Sequence, residues 1–484
     1  MMDLLRVEKL NEVYIKVYCE PGIAGEISDY FTFDVPGAKF MPAYRNKMWD
    51  GKIRLYNQMS QTIYLGLLPY VERFARERQY DIEYLSEFGN KEFSLVEAEE
   101  FIKTLDTLTL EPRDHQIKAF VHCIRNNRAI ILSPTGSGKS LIIYLLTRYY
   151  NARTLIIVPT TSLVSQLYSD FADYGFVSDQ FVHRIFEGQS KQTDKPITIS
   201  TWQSIYKMPK NYFEHFDIVI GDEAHLFKAK SLTSIMSKLD RCKFRFGFTG
   251  TLDNSETNKL VLEGLFGAAK KVVTTSELIE QKHLADFKIK SIVLQYPEDT
   301  CKLIKTFDYK DEINWIVTNP HRNNFIKNLA ISLKGNTLLL FQFVEKHGKI
   351  LNDLIKSGAG NRKIFFVHGG IDGDEREKIR GIVEKESDAI IIASYGTFST
   401  GVNIRNLHNI IFASPSKSKI RNLQSIGRGL RVSETKSSSV LYDIADNLCY
   451  KTHKNHTFLH LIERMKLYNE EKFSYKIYKV ELKV

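Results

Sequence analysis

From residue 129 onward, short runs of apolar residues alternate with longer amphipathic stretches. The runs fall at 129–132, 155–158, 197–200, 218–220, 244–248, 338–343, 364–367, 389–393, 410–412 and 440–442. A strand buried on both faces reads as a nearly unbroken apolar run. Helix-length segments between such runs therefore predict parallel sheets covered by helices on both faces. Ten strands are many for one sheet. The stretch 276–336 carries fewer strong runs and reads as the crossing from one α/β domain to the next.

Residues 1–105 are patterned differently. Residues 13–17 alternate, 27–33 are aromatic-rich, and 67–78 and 92–105 have helical spacing. Ser94, with Glu97 three residues on, predicts a capping box at the start of the last helix. The expected division is a small α+β accessory domain (1–105), a first α/β domain (106–280) and a second (281–450). A helical or extended tail (451–484) should pack on the second domain.

Composition narrows the class. The 484 residues are 43% hydrophobic and 26% charged, enough apolar material to build cores. No apolar run approaches the roughly 18–20 residues of a membrane span, so no membrane partner is expected. Residues 1–10 carry charges where a signal peptide would have its apolar core. The five cysteines are scattered with no C-x-x-C pair. That argues against zinc and for reduced thiols in a cytoplasmic setting. The net charge of +10 is uneven: −5 over 1–110, +4 over 111–280 and +11 over 281–484. A basic second half suits a polyanion such as nucleic acid.

Three motifs carry chemistry. Ser133-Pro134-Thr135-Gly136-Ser137-Gly138-Lys139-Ser140 lies between a predicted strand and a predicted apolar helix. That is the setting of a phosphate-binding loop, although Ser133 stands where the pattern usually begins with Gly. Gly136 and Gly138 let successive backbone N–H groups turn toward phosphate oxygens. The helix N-terminus adds partial positive charge. Lys139 would reach the β- and γ-phosphates of ATP, and Ser140 would ligate Mg²⁺. Asp222-Glu223-Ala224-His225 follows the run 218–220. A carboxylate at a strand end can hold Mg²⁺, the role expected of Asp222, and its neighbour Glu223 can take a proton from an attacking water. No second His or Cys at ligand spacing supports zinc at His225. Gln424-Ser425-Ile426-Gly427-Arg428-Gly429-Leu430-Arg431 lies far downstream. Arg428 and Arg431 are three apart, on one helical face, and suit a γ-phosphate.

These residues resemble the superfamily-2 helicases, and further motifs of that superfamily match in order across 111–432. The resemblance implies two RecA-like parallel-sheet motor domains of the P-loop NTPase class. It places Arg113 and Gln116 on the adenine, with His115 where an aromatic is frequent. It places Thr160, Thr161, Thr201 and Trp202 on nucleic acid, and makes His225, Thr249 and Thr251 the coupling between hydrolysis and strand movement. Segment 394–403 would touch nucleic acid through Thr397 and nucleotide through Gly401, and Gln424 would join the two arginines at the catalytic site. Within the superfamily, segments 157–161, 200–203, 393–401, 417–420 and 471–473 and the tripeptide Trp49-Asp50-Gly51 resemble the recombination and repair DNA helicases of T-even-type bacteriophages. That resemblance implies ATP-driven unwinding and branch migration of branched DNA (Holliday junctions, stalled forks, R-loops with their RNA–DNA hybrids), and strand annealing. It also implies a single-stranded-DNA-binding protein as partner and the cytoplasm of a host cell as setting.

Two stretches are candidate grips on DNA. Residues 39–54 carry five basic side chains and one acidic, with Phe40, Tyr44 and Trp49 interleaved. Lys47 and Trp49 are the expected contacts there, by phosphate neutralisation and base stacking. Lys417 and Lys419 precede the arginine motif. An RNA helicase with the same motor, and an annealing or scaffold protein with a regulatory ATP site, are the alternatives. A restriction-type translocase subunit would need a nuclease motif that the flanks lack.

Overall fold

The computed structural model describes residues 4–482 except 36, 187, 253–254, 372, 400–403, 405, 417, 419–421, 423–424, 428–429 and 431–437. The chain divides into two compact units. One comprises Met1–Ser133 and Gly138–Val272, the other Pro134–Ser137 and Val273–Val484.

The first unit contains a seven-stranded sheet. Its order is Ala269–Lys271, Arg128–Leu132, Phe244–Thr249, Ile218–Asp222, Thr154–Val158, Ile197–Thr201 and Val182–Ile185. Every pairing is parallel. Side chains on both faces of the central strands are buried, including Ile130, Ile131, Ile156, Ile157 and Phe246. That explains why these strands read as apolar runs. Because the strands are parallel, the segments after Leu132, Val158, Thr201, Asp222 and Thr249 all leave the same edge, where α/β sheets build their sites.

The second unit is also RecA-like. Its sheet runs Ile364–Val367, Ile390–Ser394, Thr337–Phe341, Asn409–Phe412, Ser438–Asn447, Asp286–Gln295 and Ser474–Glu481. All its pairings are parallel. Each of the ten apolar runs forms a strand. The stretch 276–336 is not only a crossing, however, because it contains the ten-residue strand Asp286–Gln295. Polar residues (Asp286, Lys288, Lys290) break the first half of that strand, so it lacks the mark of a two-sided core strand. The tail supplies the helix His456–Glu470 and then the edge strand Ser474–Glu481. Among the described residues no helix is long and apolar enough to cross a membrane.

The N-terminal residues form a mixed sheet in the order Thr62–Tyr64, Tyr14–Tyr18, Leu4–Lys9, Asp81–Tyr84, plus a separate pair, Thr32–Asp34 with Lys52–Arg54. The helices Pro21–Tyr30 and Leu68–Arg78 bury Ile27, Val71 and Phe74 with Leu5, Val7, Ile15 and Val17. The helix Leu95–Lys103 carries the expected reciprocal cap: Glu97 N donates to Ser94 Oγ at 3.1 Å and Ser94 N to Glu97 Oε2 at 2.6 Å.

This α+β domain shares its core with the first α/β domain. Leu260, from helix Glu256–Phe266, is buried in the same cluster as Leu65 and Phe74. Tyr70 Oη donates to Glu263 at 2.5 Å, Arg128 pairs with Glu12 at 3.2 Å, and Glu12 N donates to the Asp240 carbonyl at 2.9 Å.

Candidate active site

The strand Arg128–Leu132 ends in the phosphate-loop motif, and the helix Lys139–Tyr150 follows it. Gly136 and Gly138 have φ of +85° and +80°, the left-handed region that side-chain-bearing residues avoid. Ser137 is buried and its hydroxyl donates to the Pro134 carbonyl at 2.7 Å. Gly138 has no side chain with which to cap the helix, and a helix N-terminus favours an anion. Lys139 Nζ donates to the Ser133 carbonyl at 3.2 Å, across the loop mouth.

Arg113 and Gln116 frame the start of helix Asp114–Asn126. Arg113 N donates to Gln116 Oε1 at 2.8 Å, and Gln116 Nε2 donates to the Gly138 carbonyl at 3.1 Å. The Gln116 amide therefore sits against the phosphate loop itself. His115 is 6% exposed, so its ring is packed inside and offers no stacking face.

Strand Ile218–Asp222 lies two places from the loop-bearing strand, separated by Phe244–Thr249. Asp222 Oδ1 accepts from Glu223 N at 3.0 Å. Loss of water, followed by the neighbouring Glu223 carboxylate, raises the Asp222 carboxyl to about 6, while Lys139 pulls it down. Glu223 has φ of +52°, a strained value for a non-glycine residue. That turn swings the chain into the short helical segment Ala224–Lys228. His225 Nδ1 lies 2.9 Å from Thr249 Oγ1 and 3.3 Å from Glu223 Oε2. Thr249 in turn donates to the Thr251 carbonyl at 3.1 Å. An unbroken contact chain thus runs from the acidic strand end to the next strand end.

Ser140 Oγ lies 2.7 Å from Tyr174 Oη. No local motif points to Tyr174, which arrives 34 residues later. Ser140 and Asp222 present oxygen donors only, the donor type a hard cation such as Mg²⁺ requires.

The expected nucleic-acid residues differ in exposure. Thr161 is exposed, whereas Thr160 accepts from Leu163 N at 3.4 Å and caps its helix. Thr201 is buried, its hydroxyl 2.8 Å from Ser204 Oγ, and Trp202 packs on Tyr206. Thr397 is buried with its hydroxyl 2.8 Å from Ser394 Oγ. Lys47 is exposed. Trp49 is half-buried and donates from its indole nitrogen to the Lys52 carbonyl at 2.8 Å, which ties it into its own loop. Phe40 and Met48, at 66% and 78% exposed, are the freest apolar side chains of that strip. Gly401, Lys417, Lys419, Gln424, Arg428 and Arg431 lie outside the described residues.

Comparison with known proteins agrees with this geometry. Residues 5–84 match the family described as DNA helicase UvsW, N-terminal. Residues 109–254 match the type III restriction enzyme res subunit, and 321–433 the helicase conserved C-terminal domain. The ATP-dependent DNA helicase uvsW of Enterobacteria phage T4 is 36% identical, over 97% of this chain and 98% of that protein. The DNA 3'-5' translocase XPB2 of Sulfurisphaera tokodaii is 28% identical over 66% of this chain and 79% of its own length. The crystal structure of T4 UvsW superposes with a TM-score of 0.53 at 33% identity, covering all of both chains. Dbp5 of S. cerevisiae, at 13% identity and a TM-score of 0.53 over 80% of this chain, shares the fold alone. The phosphate loop and the acidic strand end thus belong to an ATP-dependent DNA helicase of superfamily 2, and the chain is a member of the UvsW family.

Proposed function

We propose that this helicase works on branched DNA, unwinding and branch-migrating forks, four-way junctions and R-loops, and annealing complementary strands. The observation that carries the reading is the strip 39–54. Lys39, Arg45, Lys47, Lys52 and Arg54 are interleaved along the chain with the exposed Phe40, Met41, Tyr44 and Met48. Its domain shares a core with the first motor domain. Basic side chains neutralise phosphates while exposed rings stack on unpaired bases. A motor that only tracks one strand needs its two RecA-like domains. A second grip fixed to one of them can hold another arm. Phe40 and Tyr44 are more exposed than Trp49 and so better placed for stacking.

At the ATP site, Lys139 neutralises the β- and γ-phosphates, with Thr135, Gly136, Ser137 and Gly138 cradling them. Arg113 and Gln116 flank the adenine. Glu223 takes the proton of the attacking water. Ser140 and Asp222 would hold Mg²⁺, which would offset phosphate charge. Arg428, Arg431 and Gln424 contact the γ-phosphate, and Gly401 the nucleotide. His225, Thr249 and Thr251 pass the change at Glu223 to the neighbouring strand end. Thr160, Thr161, Thr201, Trp202, Thr397, Lys417 and Lys419 follow the DNA backbone, and a single-stranded-DNA-binding protein supplies or receives the freed strand.

The test is an ATPase and unwinding panel over duplex, fork, four-way junction, R-loop and linear RNA. Forks, junctions and R-loops should stimulate more than linear duplex. Stimulation by RNA alone would overturn the branched-DNA reading in favour of an RNA substrate.

A further inference from the structure

In the second unit, the chain leaving strand Asn409–Phe412 runs through residues 413–416 before reaching the segment that holds Lys417, Lys419, Arg428 and Arg431. Three buried side chains donate to carbonyls of this short connection. Arg322 Nη2 reaches the Ala413 carbonyl at 2.9 Å, Tyr395 Oη that of Ser414 at 3.1 Å, and Arg464 Nη1 that of Ser416 at 2.9 Å. All three donors are 2% exposed or less. Each arginine is itself held by a fully buried acid. Arg322 Nε meets Asp446 at 2.8 Å, and Arg464 meets Asp443 at 2.8 and 3.0 Å.

Stability is a weak reason for these pairs, because well-packed apolar residues often replace a buried ion pair without loss. Direction is the better reason. A guanidinium fork can hold an acid with one edge and aim its remaining N–H at a chosen carbonyl. Arg464 comes from the tail helix His456–Glu470, and the strand that follows it pairs along the whole of Lys288–Gln295. The aim of Arg464 is therefore set by the sheet itself. Tyr395 opens the helix Tyr395–Ser399, in the segment expected to meet DNA and nucleotide.

We propose that Arg464, with Asp443 and Tyr395, is a positioning device of the motor, fixing the 413–416 connection that leads into the arginine-bearing segment on which ATP hydrolysis depends. The proposal rests on the reading of Arg428 as a γ-phosphate contact. It makes residues 451–484 part of the ATPase machinery, not an appended tail.

The test compares the full chain with Tyr395→Phe, with the apolar pair Arg464→Met/Asp443→Leu, and with Arg428→Ala. DNA-stimulated kcat and the KM for ATP are measured beside thermal melting. A misplacement of about 1 Å can cost on the order of 100-fold. The apolar pair should stay folded yet lose at least about tenfold in kcat, with KM changed less than about threefold, and Tyr395→Phe should lose about threefold or more. A folded apolar pair with wild-type kcat would overturn the proposal, since its role would then be structural only. If the pair does not fold, Tyr395→Phe decides: an unchanged kcat overturns the proposal and a lowered one supports it. If Arg428→Ala keeps full ATPase, the γ-phosphate reading fails. If Arg428→Ala is inactive while the other variants are normal, the positioning proposal alone fails.

Discussion

Gly66 marks a tight approach of the N-terminal domain to the first motor domain, and filling it should loosen that junction. A Cβ there would stand 2.0 Å from the Glu263 carbonyl oxygen and 2.7 Å from that of Gly264. Both distances fall well short of van der Waals contact. Both obstacles are backbone in helix Glu256–Phe266, so neither can turn aside. Gly66→Ala must lever the turn Leu65–Leu67 away from that helix, stretch the Tyr70–Glu263 hydrogen bond and uncover Leu260. Overpacking costs about 1–3 kcal/mol, and losing a hydrogen bond to a carboxylate about 1.5–3 kcal/mol. At about 2–4 °C per kcal/mol, the first unit should melt on the order of 10 °C lower. Calorimetry of the full chain reads this directly, with Tyr70→Phe as a milder variant that should shift melting by about half as much. A Gly66→Ala protein melting within about 2 °C of wild type would refute the shared core.

Three further outcomes are expected. Lys139→Ala should lower DNA-stimulated ATPase at least about 100-fold while fluorescence anisotropy finds DNA binding nearly unchanged; full ATPase would remove the phosphate-loop assignment. The Asp222 carboxyl, raised to about 6, is disfavoured as an anion in the folded chain, so folding stability should rise as pH falls through that value toward the unfolded pKa near 4. Asp222→Asn should accordingly melt higher at neutral pH, by an amount on the order of 1 kcal/mol, while losing hydrolysis, and a lower melting temperature would contradict that sign. Thr249→Val breaks the 2.9 Å contact to His225, so base pairs opened per ATP should fall more than ATPase itself. An equal loss of both would deny the coupling role.

The fold was legible where burial is two-sided. Runs such as 155–158 and 389–393 are short and rich in β-formers, as strands of a covered sheet are, and their alternation with helix-length segments favours parallel pairing. Asp286–Gln295 carries no such mark because Lys288 and Lys290 interrupt its first half, although it pairs on both sides. The tail reads as helical or extended without a core-strand mark, because exposed Ile477 and Tyr478 stand beside lysines in its strand. The ATP site was legible because phosphate chemistry needs Gly, Lys and carboxylate at short fixed spacing. What sequence spacing could not reveal is side-chain partnership at long range. Tyr174 on Ser140, Arg464 beneath Ser416 and Gly66 against Glu263 join positions 34, 48 and 197 residues apart. Local partnership was equally hidden: the Trp49 indole donates to the Lys52 carbonyl, while Phe40 lies outside its domain's core cluster.

The central claim is that ATP held at Lys139 drives the rearrangement of branched DNA. The most direct measurement follows a mobile four-way junction by strand-exchange fluorescence, with wild type and Lys139→Ala side by side, with and without ATP. The account predicts junction resolution by wild type only with ATP and none by the variant. Resolution without ATP, or by Lys139→Ala at the wild-type rate, would contradict it.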